Sequence, residues 1–102
     1  MALAPRNKYS GLRTANAVFH SGQKCILAGV QVITDGTNEA TLVITDAASG
    51  TTASGTNEVF KAVVPAGEDT KHFSMPEGGV HAENGLSCNV SGTNAAYIIY
   101  FR

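Results

Sequence analysis

Hydrophobic and polar residues alternate in short runs along most of this chain, which is typical of half-buried β-strands. In the run TLVIT, Leu42 and Ile44 share one face, and the intervening residues share the other. No window of useful length shows helical periodicity. The predicted strands are Ala17–His20, Lys24–Thr34, Thr41–Thr45, Glu58–Val64, Lys71–Met75, Val80–Ala82, Leu86–Val90 and Ala95–Phe101. Their short, regular spacing predicts an all-β fold, a compact antiparallel β-sandwich of jelly-roll-like type.

Turn signals separate these strands. The tripeptide Gly-Thr-Asn occurs at Gly36, Gly55 and Gly92, each time before a predicted strand. The steps Asp35-Gly36 and Asn84-Gly85 are strong hairpin signals, and a further hairpin is predicted about Ser91 to Asn94. On this basis Thr41–Thr45 is expected to return beside Lys24–Thr34, whose length favours a bulge at Gly29. The last strand is apolar on both faces, so it is expected to be central or covered on both sides.

Charge divides the chain into two unequal parts. Only 15% of the 102 residues are charged, which favours a protein packed against neighbours over a free monomer. Residues 1–24 hold four cations (Arg6, Lys8, Arg13 and Lys24) and no acid. The remainder holds all eight acids against three cations, so +4 and -5 give the net charge of -1. We therefore expect an extended basic arm over residues 1–15 and a β-sandwich domain over residues 16–102.

No catalytic, metal or cofactor motif can be assembled from the sequence. His72 and His81 could face each other across a hairpin with Glu77 or Glu83 as a third ligand, but no metal-ligand spacing is matched. No serine stands in a nucleophile elbow, and phosphate-cradling motifs are missing. The prediction is a non-enzymatic protein without cofactors. The low positive charge also argues against a nucleic-acid reader.

The first residues and the two cysteines indicate the cellular compartment in which the protein is made. No export signal or membrane-spanning run is found in the sequence, which favours synthesis in a cytoplasm. Cys25 and Cys88 both fall in predicted strands, where a disulfide across the sandwich is conceivable. Buried free thiols are the favoured alternative in a reducing compartment.

The chain from Gly22 to Phe101 resembles small tailed-phage virion proteins that consist of a compact β-sandwich. The resemblance rests on the strand GQKCILAGVQVIT, the turn DGTN, the strand TLVITD and the closing run NGLSCNVSGTNAAYIIYF. It implies a head decoration or cement protein that binds the major capsid protein on the outer surface of the assembled head, often as a homotrimer, and stabilises the shell. The implied location is the virion, after synthesis in the host cytoplasm. The expected capsid contacts are Arg6, Lys8, Tyr9 and Arg13.

A second hypothesis is a tail- or fibre-associated module, or a carbohydrate-binding sandwich. Its site would lie in the loops 46–56 and 65–70. Sugar platforms usually expose aromatic side chains, and this chain has no Trp. A small enzyme is a third hypothesis, which would depend on His72 or His81.

Overall fold

The computed structural model describes residues 8–48 and 57–102, and every regular element among them is a strand. The first strands are short, β1 (Lys8–Tyr9) and β2 (Ala17–Phe19). The central part of the chain forms β3 (Cys25–Ile33), β4 (Ala40–Asp46), β5 (Glu58–Val64) and β6 (Lys71–Ser74). The last strands are β7 (Val80–Ala82), β8 (Leu86–Ser91) and β9 (Ala96–Phe101).

The strands form two antiparallel sheets. Sheet A has the order β1-β9-β3-β6, with β7 also paired to β3, and sheet B has the order β2-β8-β4-β5. The pairs β1/β9, β2/β8, β3/β6 and β4/β5 are nested, as if one long hairpin had been wrapped around a barrel. This nesting is the topology of a jelly roll, so the predicted all-β sandwich is confirmed.

The core fills the space between the two sheets, because each strand turns alternate side chains inward. On β4, Ala40, Leu42 and Ile44 are buried, as the sequence pattern predicted. Sheet A contributes Leu27, Val30 and Val32 from β3, and β9 adds Tyr97 and Ile99. Leu27 and Leu42 are fully buried and so mark the centre of this layer.

The predicted bulge is confirmed, whereas the predicted hairpins are wrong. The register between β3 and β9 shifts between Leu27 and Gly29. The strands on either side of Asp35-Gly36 do not pair, because β3 belongs to sheet A and β4 to sheet B. The same holds for Asn84-Gly85, between β7 and β8, and for Ser91 to Asn94, between β8 and β9. These turns carry the chain from one sheet to the other.

The Asp35 carboxylate stabilises its turn as an arch, a connection between strands of different sheets, and not as a hairpin between paired strands. Its Oδ1 accepts hydrogen bonds from the backbone N–H groups of Thr37 and Asn38, at 2.9 and 2.8 Å. Its Oδ2 accepts from the side-chain amides of Asn38 and Asn94, at 2.7 and 3.0 Å. Asn94 lies in the β8–β9 connection, so one carboxylate joins two crossings between the sheets. Two copies of the Gly-Thr-Asn tripeptide thus end in an asparagine that bonds Asp35.

Other contacts tighten this end of the sandwich. Gly92 has a φ of 118°, and a side chain there would overlap the Glu39 carbonyl oxygen. The β5–β6 connection is bonded to the β3–β4 connection, because Gly67 donates its N–H to the Thr37 carbonyl at 3.2 Å. The β3–β4, β5–β6 and β8–β9 connections therefore lie together at this end of the sandwich. In the third Gly-Thr-Asn copy, residues 55 and 56 lie outside the described residues, as does most of the predicted 46–56 loop.

A second aspartate has the same role at the opposite end. Asp46, the last residue of β4, accepts hydrogen bonds from the backbone N–H groups of Glu83 and Asn84 at 3.0 and 2.7 Å. The Asn84 carbonyl in turn accepts from the N–H of Gly22 at 2.8 Å. Asp46 thereby joins the end of β4 to the β7–β8 crossing, and Asn84 joins that crossing to the β2–β3 crossing.

The sheet edges are short or irregular. On the sheet A side, β1 has two residues, and β6 and β7 share one side of β3 with a break around Pro76. On the sheet B side, β5 is longer, but Ile44 pairs with Phe60 and Thr45 with Glu58, which leaves Val59 as a bulge. Bulges and edge lysines such as Lys61 discourage pairing with a further strand.

The core predicts a large asymmetry between two apolar truncations in sheet B. Leu42→Ala is expected to lower the free energy of unfolding by about 2–5 kcal/mol, because Leu42 is fully buried. Val63→Ala is expected to change it by less than about 0.5 kcal/mol, because Val63 is 47% exposed. Urea denaturation followed by circular dichroism measures both values. Equal effects of the two substitutions would contradict this description of the core.

The Asp35 cluster predicts a pH-dependent contribution to stability. Its hydrogen bonds, first the one from the Asn38 backbone, hold the pKa of the Asp35 carboxyl far below its usual range. The stability it contributes is therefore full at neutral pH and is lost as the pH falls below the ordinary value of 3.8 toward the folded pKa. Asp35→Asn is expected to lower the melting temperature at neutral pH, since a neutral amide cannot accept all four bonds.

The difference in melting temperature between wild type and Asp35→Asn should shrink in strong acid, because the wild-type carboxyl is then protonated as well. Calorimetry over a pH series measures this difference. Asp69→Asn is the matched control, because it makes the same change of charge in the neighbouring β5–β6 connection. A difference for Asp35→Asn that stays constant with pH would refute the prediction.

Candidate functional site

The predicted contact residues lie along the β1 edge of sheet A, as far as the structure describes them. Lys8 and Tyr9 form β1, which pairs with Phe101 and Tyr100 of β9. Arg13 forms an isolated bridge with Tyr97 further along the same strand. We call residues 8–13 the edge segment. Arg6 lies outside the described residues.

Within the arm predicted over residues 1–15, the part that the structure describes is bonded to β9. The Ser10 N–H donates to the Ile99 carbonyl at 2.9 Å, and the Ser10 Oγ accepts from the Ile99 N–H at 3.0 Å. Arg13 and Tyr97 exchange two backbone hydrogen bonds of 2.9 Å. These bonds satisfy the outer side of β9, which would otherwise be an open edge. Residues 8–13 are therefore part of the sandwich.

A local change of direction turns two apolar side chains outward. The Ser10 Oγ, and not a backbone carbonyl, accepts the N–H of Ile99 in β9. Gly11 follows with a φ of 71°, a conformation that favours glycine. The chain then leaves and rejoins the strand. Tyr9 and Leu12 are 71% and 63% exposed, among the largest values for bulky apolar residues in the described part of the chain. The backbone of this segment is held by hydrogen bonds at Ser10 and at Arg13.

Arg13 has a different orientation from the one expected of a partner contact. Its guanidinium carbon lies 5.4 Å from the centroid of the Phe19 ring, and its Nε donates to the Ser10 carbonyl at 3.1 Å. Phe19 packs in turn against Phe101, with ring centroids 5.3 Å apart. Arg13 thus ties the edge segment to β2 of the other sheet. Lys8 and Arg13 are both exposed.

Leu12 is the contact candidate that the sequence reasoning missed. An isolated leucine between Gly11 and Arg13 gives no strand or helix pattern, so it had no assigned role. The available signal was the neighbouring glycine, which permits the backbone to turn an apolar side chain into solvent. Leu12 lies between Tyr9 and Arg13, whose residue types are enriched in protein interfaces, whereas that of Lys8 is depleted there.

The proposed histidine pair does not form. His72 on β6 pairs with Gln31, whereas His81 on β7 pairs with Ile26, so the two histidines follow one another along β3. The ring of His72 contacts Tyr100, with centroids 6.1 Å apart. Within residues 8–48 and 57–102 there is no group of three His, Cys, Asp or Glu side chains placed to hold a metal ion.

Both cysteines are free thiols in the core. Burial raises the pKa of Cys88 to about 12, with a smaller contribution from Cys25, and burial also raises the pKa of Cys25. Thiolates are the nucleophilic form, so neither side chain is prepared for nucleophilic chemistry. Tyr97 lies in the same layer, and desolvation raises its pKa as well. Its hydroxyl donates to the Ala15 carbonyl at 2.9 Å, which helps to anchor the chain after the edge segment.

Comparison of the chain with protein-family models, with curated proteins and with solved structures gave no match. Among the described residues there is no helix of the length and apolarity needed to cross a membrane.

The contacts of Arg13 predict a structural effect that a simple surface cation would lack. Arg13→Ala is expected to reduce the free energy of unfolding by about 0.5–1 kcal/mol, through loss of the cation–π contact with Phe19. It is also expected to speed hydrogen exchange at the amide of Tyr97, which bonds the Arg13 carbonyl. Lys8→Ala is the control with the same loss of charge. Equal exchange rates at Tyr97 in the two variants would contradict the tethering role of Arg13.

Proposed function

We propose that this protein is a bacteriophage virion structural protein, a capsid decoration or cement protein. In this proposal it binds the major capsid protein on the outer surface of the assembled head, as a homotrimer, and stabilises the shell without catalytic activity. The support is the resemblance of residues 22–101 to small phage sandwich proteins, together with the edge segment. A jelly roll alone does not define a function, so the argument depends on the contact residues.

The observation that carries the proposal is the exposed pair Tyr9 and Leu12 on a fixed backbone. Single exposed apolar side chains are normal on a protein surface, but Tyr9 and Leu12 are three residues apart in one short segment and are the two most exposed bulky apolar side chains of the described residues. The edge segment is already paired with β9, so little backbone entropy is lost when these two side chains are buried. Lys8 adds a cation next to Tyr9, and the sequence has a second cation, Arg6, two residues earlier, which favours an acidic partner surface.

Stabilisation of a shell would then come from many copies of a modest contact. Each copy removes apolar area from water, and a trimer presents three edge segments to neighbouring capsid subunits. Once one segment is bound, the other two bind at a high effective concentration. The proposed mechanism needs no conformational change in the sandwich.

The alternative tail- or carbohydrate-binding function has less support from the loops that were expected to carry it. In the β5–β6 connection, the Glu68 carbonyl accepts from Thr34 at 2.9 Å, and the Thr70 hydroxyl accepts from the Thr34 N–H at 3.1 Å. These groups hold the connection against β3 and the Asp35 cluster. Most of the other loop lies outside the described residues.

The test of the proposal is binding to particles that the encoding virus assembles without this protein. The wild-type protein is expected to bind such shells and to raise the temperature at which they open. The double substitution Tyr9→Ala/Leu12→Ala is expected to weaken binding by roughly 30-fold or more, the loss typical of a central apolar contact. Co-sedimentation over a concentration series measures the affinity.

Val63→Ala is the matched control, because Val63 is an exposed apolar residue on the other sheet. Deletion of residues 1–15 is a poor substitute for the double substitution, since it would also uncover the backbone of β9. Absence of wild-type binding to the shells would refute the proposal. Glycan binding that depends on residues 65–70 would favour the alternative function.

A further inference from the structure

The β7–β8 crossing contains the step Asn84-Gly85, and no other asparagine of the chain is followed by glycine. Asparagine is a thermolabile residue, because the backbone nitrogen of the next residue can attack its side-chain amide. Glycine in the next position favours this attack, since it has no Cβ to hinder the approach. Whether such a step reacts in the folded protein depends on how its atoms are held.

The side-chain amide of Asn84 is accessible. Asn84 is exposed, and its hydrogen bonds are made by its backbone. The N–H donates to Asp46 Oδ1 at 2.7 Å, and the carbonyl accepts from the Gly22 N–H at 2.8 Å. The side-chain amide has no hydrogen-bond partner among the described residues. Neither of the bonded backbone atoms is an atom that would react.

Three other asparagine side chains in the described part of the chain are held by hydrogen bonds. The Oδ1 of Asn16 accepts from the Val90 N–H at 2.9 Å. The amides of Asn38 and Asn94 donate to the Asp35 carboxylate at 2.7 and 3.0 Å. These bonds to a charged group must break before either amide can react.

The attacking atom would be the backbone nitrogen of Gly85. Its N–H makes no hydrogen bond to the described residues. A Cβ at position 85 would stand 2.7 Å from the His20 carbonyl oxygen and 2.9 Å from the Phe19 carbonyl oxygen. The fold therefore requires glycine directly after Asn84, which keeps the nitrogen unhindered.

The step Asp35-Gly36 is a contrast within the same molecule. An aspartate before glycine can form the same cyclic imide. However, the Asp35 carboxylate accepts four hydrogen bonds, and the Gly36 N–H donates to Thr34 Oγ1 at 3.2 Å. Both reacting groups are thus engaged at Asp35-Gly36, and neither is engaged at Asn84-Gly85.

We propose that Asn84 is a site of spontaneous deamidation and that its products loosen the junction made by Asp46. The Gly85 nitrogen gives its proton to a solvent base and bonds to Cγ of Asn84. The bond from Cγ to the amide nitrogen breaks, and ammonia leaves. Water then opens the imide, at Cγ to give aspartate or at the backbone carbonyl carbon to give isoaspartate. Water is the co-reactant, and no atom is oxidised or reduced.

Both products disturb the β7–β8 crossing. Isoaspartate adds one carbon to the backbone between the N–H that binds Asp46 and Gly85, which lies against the His20 carbonyl. The hydrogen bonds to Asp46 and Gly22 then lose their geometry. Aspartate keeps the backbone but adds a negative charge close to the carboxylates of Asp46 and Glu83. This inference does not depend on the proposed function.

The test follows the folded, full-length protein during storage in mildly alkaline buffer, beside a sample unfolded in urea. Peptide mass spectrometry measures the loss of amide at each asparagine, and an isoaspartate-specific methyltransferase measures isoaspartate. Asn84 is expected to account for most of the conversion in the folded sample. Folding is expected to slow Asn84 by less than about tenfold, since no side-chain hydrogen bond must break, and to slow Asn38 and Asn94 by more.

Asn84→Gln and Asn84→Ala remove the reactive amide and keep the backbone bonds, so two independent variants are available if one does not fold. Stored wild-type protein is expected to contain a fraction that melts about 4–8 °C lower than fresh protein, the shift caused by loss of one hydrogen bond in a domain of this size. The stored variants are expected to melt as fresh protein does. Calorimetry measures these temperatures.

Three results would overturn the inference. The first is an Asn84 that stays intact in the folded protein while the unfolded chain is converted, because the fold would then protect it. The second is conversion without a lower melting temperature, which would refute the effect on the Asp46 junction. The third is an equal loss of stability in the stored variants, which would assign the ageing to another position. These measurements need no partner, so they stand whether or not the protein binds shells.

Discussion

The fold depends on how the chain crosses between its two sheets, and at one end a single carboxylate organises those crossings. Asp35 accepts four hydrogen bonds, two from backbone N–H groups of its own turn and two from the side chains of Asn38 and Asn94. One of these asparagines belongs to a connection 59 residues further along the chain. A nested jelly roll closes only when such distant connections meet, so this cluster fixes which strands lie in which sheet.

The strands could be predicted from the sequence, but their partners could not. The alternation of apolar and polar side chains predicted the inward face of β4, and Gly29 in β3 predicted the bulge. Both are local properties of a strand. The steps Asp35-Gly36 and Asn84-Gly85 describe a turn, yet the same local chemistry serves a hairpin and an arch. Whether such a turn forms a hairpin or an arch depends on long-range partners such as Asn94, and a short stretch of sequence around the turn does not show them.

The candidate site shows the same division between local and long-range information. The basic character of the first residues was visible in the sequence, and it identified Lys8, Tyr9 and Arg13. Their different roles were not visible, because these depend on β9 and Phe19. Arg13 holds the segment, whereas Tyr9 and the unpredicted Leu12 project from it.

The protected sheet edges have a consequence for crowding. In the proposed function, each copy on the shell stands beside many others, at a local density far above that in solution. Two β-proteins held at such density tend to join edge to edge into ribbons. The bulge at Val59 and the short strand β1 hinder that reaction. The sandwich can therefore be packed closely on a surface and still remain a set of separate molecules.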